Sequence, residues 1–355
     1  MDMFDNQGWR TATDRQEKVF EAANYFGTKR RGGPLATAEL AEAFATTDFP
    51  VLLGAAFEKK AIEAQKAAEP EFEPILAKAT APDFTRRKLV DLWSGDEFER
   101  VNEGEEYKGG TLKETDLDHG TDKWGRNYGL TFELRLRRMF SDMAKFPALL
   151  GNGATRAKNT AVATKLITGG AWDPAFFGTV DTVNLTAENL DAAIKALALR
   201  TDHRGDLVDT SNLVLVVGPG LASEATRILN ASKIVLKVTN GSKVTETEMD
   251  NPFKGLVTLL VSKAVGKYLG TNQGKAWALL QGSNSSLPSL IDTGLEGHDG
   301  NVDIRVKRDQ GESVGGGLVS VDEGSFNDDT IWYRGRTFFG IDKGFTQGVY
   351  ASNGA

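Results

Sequence analysis

The chain has 355 residues, a formal net charge of −7, 39 Gly and no Cys. The absence of Cys excludes disulfides, thiolate metal sites, cysteine-held iron–sulfur clusters and a Cys nucleophile. An acidic pI near 5.3 argues against a dedicated nucleic-acid binder, MDMFDNQGWR shows no signal-peptide pattern, and no apolar run approaches the ~18 residues of a membrane helix. The expectation is a soluble protein of roughly two domains, made in the cytoplasm and able to assemble.

Residues 1–82 read as a helical N-terminal arm. Thr13-Asp-Arg-Gln16 has the form of a capping box, and Val19, Ala23 and Phe26 follow at helical spacing before Gly27. Leu40 and Phe44 form a shorter amphipathic pair, and an Ala/Glu/Lys-rich stretch, residues 54–69, runs into Pro70, Pro74 and Pro82. Stripes this narrow need a partner surface to stay ordered.

Beyond Pro82, Phe84–Trp93 and Tyr128–Arg138 have strand character, the second with Leu130, Phe132, Leu134 and Leu136 alternating with polar residues. About thirty polar, Gly-punctuated residues separate them, which is long for a structureless connection and predicts a two-stranded excursion. Charge divides sharply here. Residues 95–126 hold ten acidic and five basic residues, whereas residues 127–170 hold two acidic and seven basic ones. Such neighbours are either a solvated local pair or complementary surfaces on different copies of the chain.

The spacing next predicts a helix of about fifteen residues from Ala154, ended by Gly169-Gly170. Thr186 is placed to cap a second helix with Leu190, Ile194 and Leu197 inward. Asn212–Val217 reads as a buried strand, and Leu221, Ala225, Ile228 and Leu229 as the apolar face of the following helix. Further strands are predicted at Ile234–Val238, Leu256–Val261, Trp277–Leu280, Ile304–Lys307 and Ile331–Phe339. Segregated helices with antiparallel strands make the class α+β.

The motifs carry little chemistry. Gly218-Pro-Gly-Leu-Ala-Ser223 sits at a strand-to-helix corner, but Ser replaces the third fingerprint glycine and no ribose-binding acid lies near Val238. It is the only basis for an alternative reading as a soluble α/β nucleotide-binding enzyme. The segment Asp116-Leu-Asp-His-Gly-Thr-Asp122 resembles a broken calcium loop, better read as a turn with solvated acids. His119, His203 and His298 are scattered, and no triad or metal set forms around them. Arg204-Gly205-Asp206 and the Asn184 and Asn240 glycosylation-type sequons have no secretory context. No enzyme activity, cofactor or metal is expected.

The order of features resembles the major capsid protein of tailed bacteriophages, with the Hong Kong 97-type fold, and in detail its Mu-like head-subunit and actinobacteriophage branch. The matching residues are Tyr128–Arg138, Phe140–Gly170, Asn212–Asn230, Trp277–Leu280, Asp292–Gly297 and the closing segment Thr330–Gly354. The resemblance implies an extended loop at 95–126 carried by residues 83–138. It also implies a peripheral domain with a spine helix at 139–183, an axial domain at 184–296, and a return to the peripheral domain at 297–355. The loop acids Asp96, Glu97, Glu99, Glu105 and Glu106 and the basic Arg135, Arg137 and Arg138 become candidate inter-subunit contacts. The implied partners are copies of the chain in hexamers and pentamers, scaffolding, portal and decoration proteins, and packaged double-stranded DNA without sequence specificity. No membrane partner is implied, and the place of action is the virion. An encapsulin-like nanocompartment is the alternative within the fold.

Overall fold

A computed structural model describes residues 61–68, 70–93, 113–133, 146–240, 243–298, 300–317 and 323–355, and positions 100, 101, 103, 106, 107, 109 and 319. In chain order its early elements are β1 (Leu76–Ala81), β2 (Arg87–Trp93), β3 (Lys113–His119), β4 (Asp122–Leu130) and the long helix α1 (Phe146–Leu166). The short β5 (Ile167–Thr168), β6 (Ala171–Trp172) and α2 (Pro174–Phe177) precede α3 (Ala187–Ala198), β7 (Leu213–Val217) and α4 (Ala222–Asn230). Then come β8 (Lys233–Asn240), β9 (Lys243–Asp250), β10 (Val257–Val261), α5 (Lys263–Leu269) and β11 (Trp277–Gln281). The chain closes with β12 (Leu290–Leu295), β13 (Asp303–Val306), β14 (Ile331–Lys343) and β15 (Tyr350–Ser352).

These elements form two compact units. The first comprises Met1–Glu69, Lys123–Ala157 and Gly300–Phe338. In it, β13 pairs antiparallel with the first half of β14, and β4 pairs with β14 as well. Ile331 and Tyr333 form its apolar centre with Leu130, Ile304 and Val306. Helical residues 61–67 lie on the first turns of α1, where a Cβ on Gly151 would stand 2.1 Å from the Ala61 carbonyl oxygen. Only Gly allows that backbone approach. Gln65 completes the contact, donating to Gly300 O at 2.9 Å and accepting from Val302 N at 2.9 Å.

The second unit comprises Pro70–Asp122, Lys158–Asp299 and Phe339–Ala355. Its main sheet has the order β10-β7-β11-β15, with α3 and α4 packed on it through one continuous apolar cluster. All five residues of β7 and all five of β11 are buried, the near-continuous apolar run of a strand covered on both faces. Each fully buried Leu or Val here contributes about 1.5–3 kcal/mol. Thr186 caps α3 by accepting from Asn189 N, with Leu190, Ile194 and Leu197 inward as the periodicity predicts. A second sheet segment in this unit sets β1 parallel to β12 and β12 antiparallel to the end of β14.

Several expectations are corrected. The helix predicted from Ala154 begins at Phe146, because Pro147 falls in the first turn, where its missing N–H costs nothing, and Gly151 is needed for packing. It ends at Leu166, and Gly169-Gly170 turn the chain between β5 and β6. The sheets are mixed rather than antiparallel, since β7–β10 and β1–β12 are parallel pairs. The first arises because α4 carries the chain back across the sheet, a crossover connection, with the β8–β9 hairpin inserted before β10. The arm expected at 1–82 does not extend to its C-terminal part: Phe72, Ile75 and Leu76 are fully buried and β1 is a sheet strand. The capping box at Thr13 and the Val19 and Leu40 helices lie outside the described residues.

Candidate functional site

The polar excursion contains a two-stranded antiparallel hairpin. Strand β2 pairs with β3 from Arg87↔His119 to Trp93↔Lys113, and among the described residues neither strand joins another sheet. The sequence placed the returning strand at Tyr128–Arg138. It is Lys113–His119 instead, inside the segment 95–126, while β4 ends at Leu130 and Phe132-Glu133 are helical. The acids of KETDLDH masked it, because Asp and Glu are depleted in strands. The same pairing corrects the reading of Asp116–Asp122 as a turn with solvated acids, since Asp116, Asp118 and His119 lie in β3 and the buried Gly120-Thr121 connect it to β4. No group of His, Asp or Glu with metal-binding geometry occurs among the described residues.

The base of this hairpin converges on one buried carboxylate. Arg86, just before β2, donates from Nη1 to Asp342 Oδ1 at 2.9 Å, and Gly120, just after β3, donates its N–H to Asp342 Oδ2 at 3.1 Å. Lys165 of α1 lies 3.5 Å from Oδ1. Gly340, two residues before Asp342, permits the approach, as a Cβ there would overlap the Gly120 carbonyl oxygen at 1.8 Å. His119 Nδ1 is 3.2 Å from Thr293 Oγ1, and Leu117 packs on the buried cluster Val208, Leu287 and Phe345. The guanidinium of Arg86 is held above its ordinary range chiefly by the Asp342 hydrogen bond.

A second buried carboxylate lies on the neighbouring strand. Asp292 accepts from Lys78 of β1 at 2.8 Å and from Lys158 of α1 at 2.5 Å. Lys158 and Lys165 are seven residues apart, two helical turns, and so reach the β12–β14 pair from one face of α1. Burial pulls the Lys158 ammonium below its usual range, and the attraction of Asp292 opposes that shift. Nothing in residue spacing marked Asp292 or Asp342 as a pair. The available signal was a lone Asp inside each apolar run, SLIDTGL and FFGIDKG.

In the first unit, one sheet face is basic. Arg305 and Arg334 are directly opposite each other across β13 and β14, an arrangement of like charges that raises the local potential. Asp303 accepts from Arg336 at 2.5 Å and from Arg305 at 3.3 Å. Trp332 lies over Gly129 of β4 and is partly exposed. Among the predicted contact residues only Glu106 is described, and it is exposed. Asp96, Glu97, Glu99, Glu105, Arg135, Arg137 and Arg138 lie outside the described residues.

The corner Gly218–Ser223 is packed with protein. A Cβ on Gly220 would meet Gly274 Cα at 3.0 Å, one on Gly218 the Gln273 carbonyl at 3.1 Å, and one on Gly266 the Pro219 ring at 2.5 Å. These glycines serve close backbone packing. The turn Arg204-Gly205-Asp206 is likewise local, with Asp202 accepting from Arg204 N and Asp206 N.

A family model described as phage capsid protein matches residues 114–352, about two thirds of the chain. Among solved structures, the capsid of cyanophage P-SCSP1u is similar at 10% identity, covering 80% of this chain and 88% of that one with a TM-score of 0.48. The mature capsid of bacteriophage PhiM1 is similar at 13% identity, with 80% and 86% covered and a TM-score of 0.46. The SrpI encapsulin complex from Synechococcus elongatus is similar at 9% identity, with 78% and 84% covered and a TM-score of 0.43. Comparison with curated proteins finds no match.

Proposed function

Because this chain belongs to the phage capsid protein family and is a major capsid shell protein with the α+β, Hong Kong 97-type fold, we propose how its parts serve the shell. The single observation that carries the reading is the family match over residues 114–352. Many copies assemble as hexamers and pentamers into a closed icosahedral head around double-stranded DNA, without a chemical step. Residues 95–126, which follow β2 and include β3, form the extended loop carried by residues 83–138 and reach a neighbouring copy. Asp96, Glu97, Glu99, Glu105 and Glu106 supply the acidic side of that contact, and Arg135, Arg137 and Arg138 supply a basic side.

The spine helix is α1 (Phe146–Leu166) within a peripheral domain at 139–183, the axial domain is 184–296, and residues 297–355 return to the peripheral domain. Support comes from the hairpin itself, which among the described residues pairs with no other strand, and from the opposite charge of the two segments. Repeated modest interfaces of this kind give a closed shell high stability, because removing one subunit breaks several contacts together. Scaffolding, portal and decoration proteins are the further partners, and synthesis takes place in the host bacterial cytoplasm. Among the described residues no helix is long and apolar enough to cross a membrane.

The test is expression of the full chain, alone and with candidate scaffolding proteins, followed by light scattering and negative-stain microscopy. Closed shells of many 38.4 kDa copies are expected. Shells that carry a protein cargo instead of nucleic acid would move the reading to a nanocompartment. A chain that stays monomeric or dimeric under every condition would overturn it.

A further inference from the structure

The sheet of the first unit has two unlike faces. One is apolar and gathers Ile331, Tyr333, Leu130, Ile304 and Val306, with Leu150 of α1 over Gly335. The residues that alternate with these point the other way: Trp332, Arg334 and Arg336 on β14, and Asp303, Arg305 and Lys307 on and just after β13. Strand β4 adds little bulk to this second face. A Cβ on Gly125 would meet Arg336 Cβ at 3.3 Å and one on Gly129 the Trp332 ring at 3.1 Å, so both glycines lie on it, with Asn127 between them beside Arg334. The Trp332 indole is laid across the sheet over Gly129 and is still 38% exposed.

Charge on this face is unbalanced. Asp303 serves both Arg336, at 2.5 Å, and Arg305, at 3.3 Å, and Asp309 holds Lys307 at 2.5 Å. The exposed Arg334 side chain has no ion pair or hydrogen bond among the described residues. It also stands directly opposite Arg305, with the backbones about 5 Å apart, where like charges cost stability. A face that keeps this repulsion is complementary to an external anion. The net charge of −7 does not cancel it, because salt screens charges more than about 10 Å away.

We propose that this face binds single-stranded nucleic acid, with phosphates on Arg334 and Arg305 and a base stacked on Trp332. Arg334 and Arg336 follow each other about 7 Å apart along β14, so the cations track a chain of repeated negative charge rather than a single ion. The face is three strands wide and flat, whereas a duplex groove admits a helix or a two-stranded ribbon. A single strand leaves its bases open, and an indole beside guanidiniums stacks them whatever their sequence. An acidic peptide would satisfy the arginines and leave Trp332 without a role. The inference goes beyond the shell reading and does not depend on it.

The test is fluorescence anisotropy with the full chain, kept unassembled by dilution, and a labelled oligothymidylate of about 12 nucleotides, within the usual site size of such platforms. A duplex of equal length and a peptide of residues 94–107 are the comparison ligands. The parent is expected to bind the single strand about tenfold more tightly than the duplex. Arg334→Gln should weaken binding about tenfold and reduce the slope of log affinity against log salt by about 0.7, the share of one phosphate contact. Trp332→Ala should weaken it about tenfold with the slope unchanged, and Trp332→Phe should restore most of the loss. Lys195→Gln, on the exposed surface of α3, should leave affinity within twofold of the parent. Melting curves identify any variant that fails to fold, and the exposed Arg334→Gln decides the matter if Trp332→Ala does not. The proposal is overturned if the parent does not bind at low salt, if Arg334→Gln binds like Lys195→Gln, or if the duplex binds as tightly as the single strand. A peptide that binds more tightly than the oligonucleotide would also overturn it, and would give the face to the acidic segment of a second copy.

Discussion

In the sheet β10-β7-β11-β15, strand after strand is apolar: LVLVV and WALLQ are buried along their whole lengths under α3 and α4. In the β12–β14 pair of the same unit, the paired residues are mostly buried, yet β12 carries Asp292 and the end of β14 carries Asp342, and four cations from β1, α1 and the hairpin base close on the two carboxylates. The first arrangement is non-directional, and any well-fitting apolar neighbours would satisfy it. The second is directional: a buried carboxylate tolerates only certain groups at certain positions, so it specifies which elements meet it. The comparison teaches that this unit uses apolar packing to hold itself together and buried charge to fix where the helix and hairpin attach.

The largest expected effect lies in the apolar sheet. Trp277 is fully buried, tilted against Tyr350 at 5.3 Å and donating to Val183 O at 3.0 Å. Trp277→Ala should cost about 4 kcal/mol in chemical denaturation of the unassembled chain. Equality with the parent would break the account of that core. The ionic region should come close behind but respond asymmetrically. Asp292→Ala strands the mostly buried Lys158 and should cost about 3 kcal/mol. Lys78→Met, at a side chain 58% exposed, should cost less than about 1 kcal/mol. Equal losses from the two would show that the pair acts as an ordinary surface bridge.

Smaller effects refine the comparison. Thr186→Ala removes the cap of α3 without touching a charge and should lower stability by about 1 kcal/mol at every pH. Lys343→Met should cost roughly half a kcal/mol at neutral pH. The hydrogen bond from Lys343 holds the Asp173 carboxyl below its usual range. Its contribution is therefore complete above the unfolded value near 4 and is lost as pH falls through the lower folded value. Denaturation of parent and variant as a function of pH should thus converge in acid, and a difference that persisted below pH of about 2 would separate Asp173 from the effect.

Much of the apolar sheet was legible from spacing alone: β7, the face Leu221, Ala225, Ile228 and Leu229, β11, and the Thr186 cap all form where periodicity placed them. Periodicity works there because burial is a property of each residue along its own strand or helix. It failed for β3, whose acids disguise a strand paired with β2, and for β1, whose short run LAKATA pairs with the distant β12. The capsid family was legible through the order of features, and the match over residues 114–352 agrees with it.

What the sequence determined by itself was the absence of cysteine chemistry, the strong charge division around residue 126, the helix and strand identity of the apolar segments, and the family. What only the tertiary structure decided was which distant groups share a carboxylate: Lys78 with Lys158 on Asp292, and Arg86 with Gly120 and Lys165 on Asp342. The physical reason is that hydrophobic burial is read from local pattern. A buried ion pair depends instead on where chain segments more than a hundred residues apart come to rest, and on glycines such as Gly340 that let them approach.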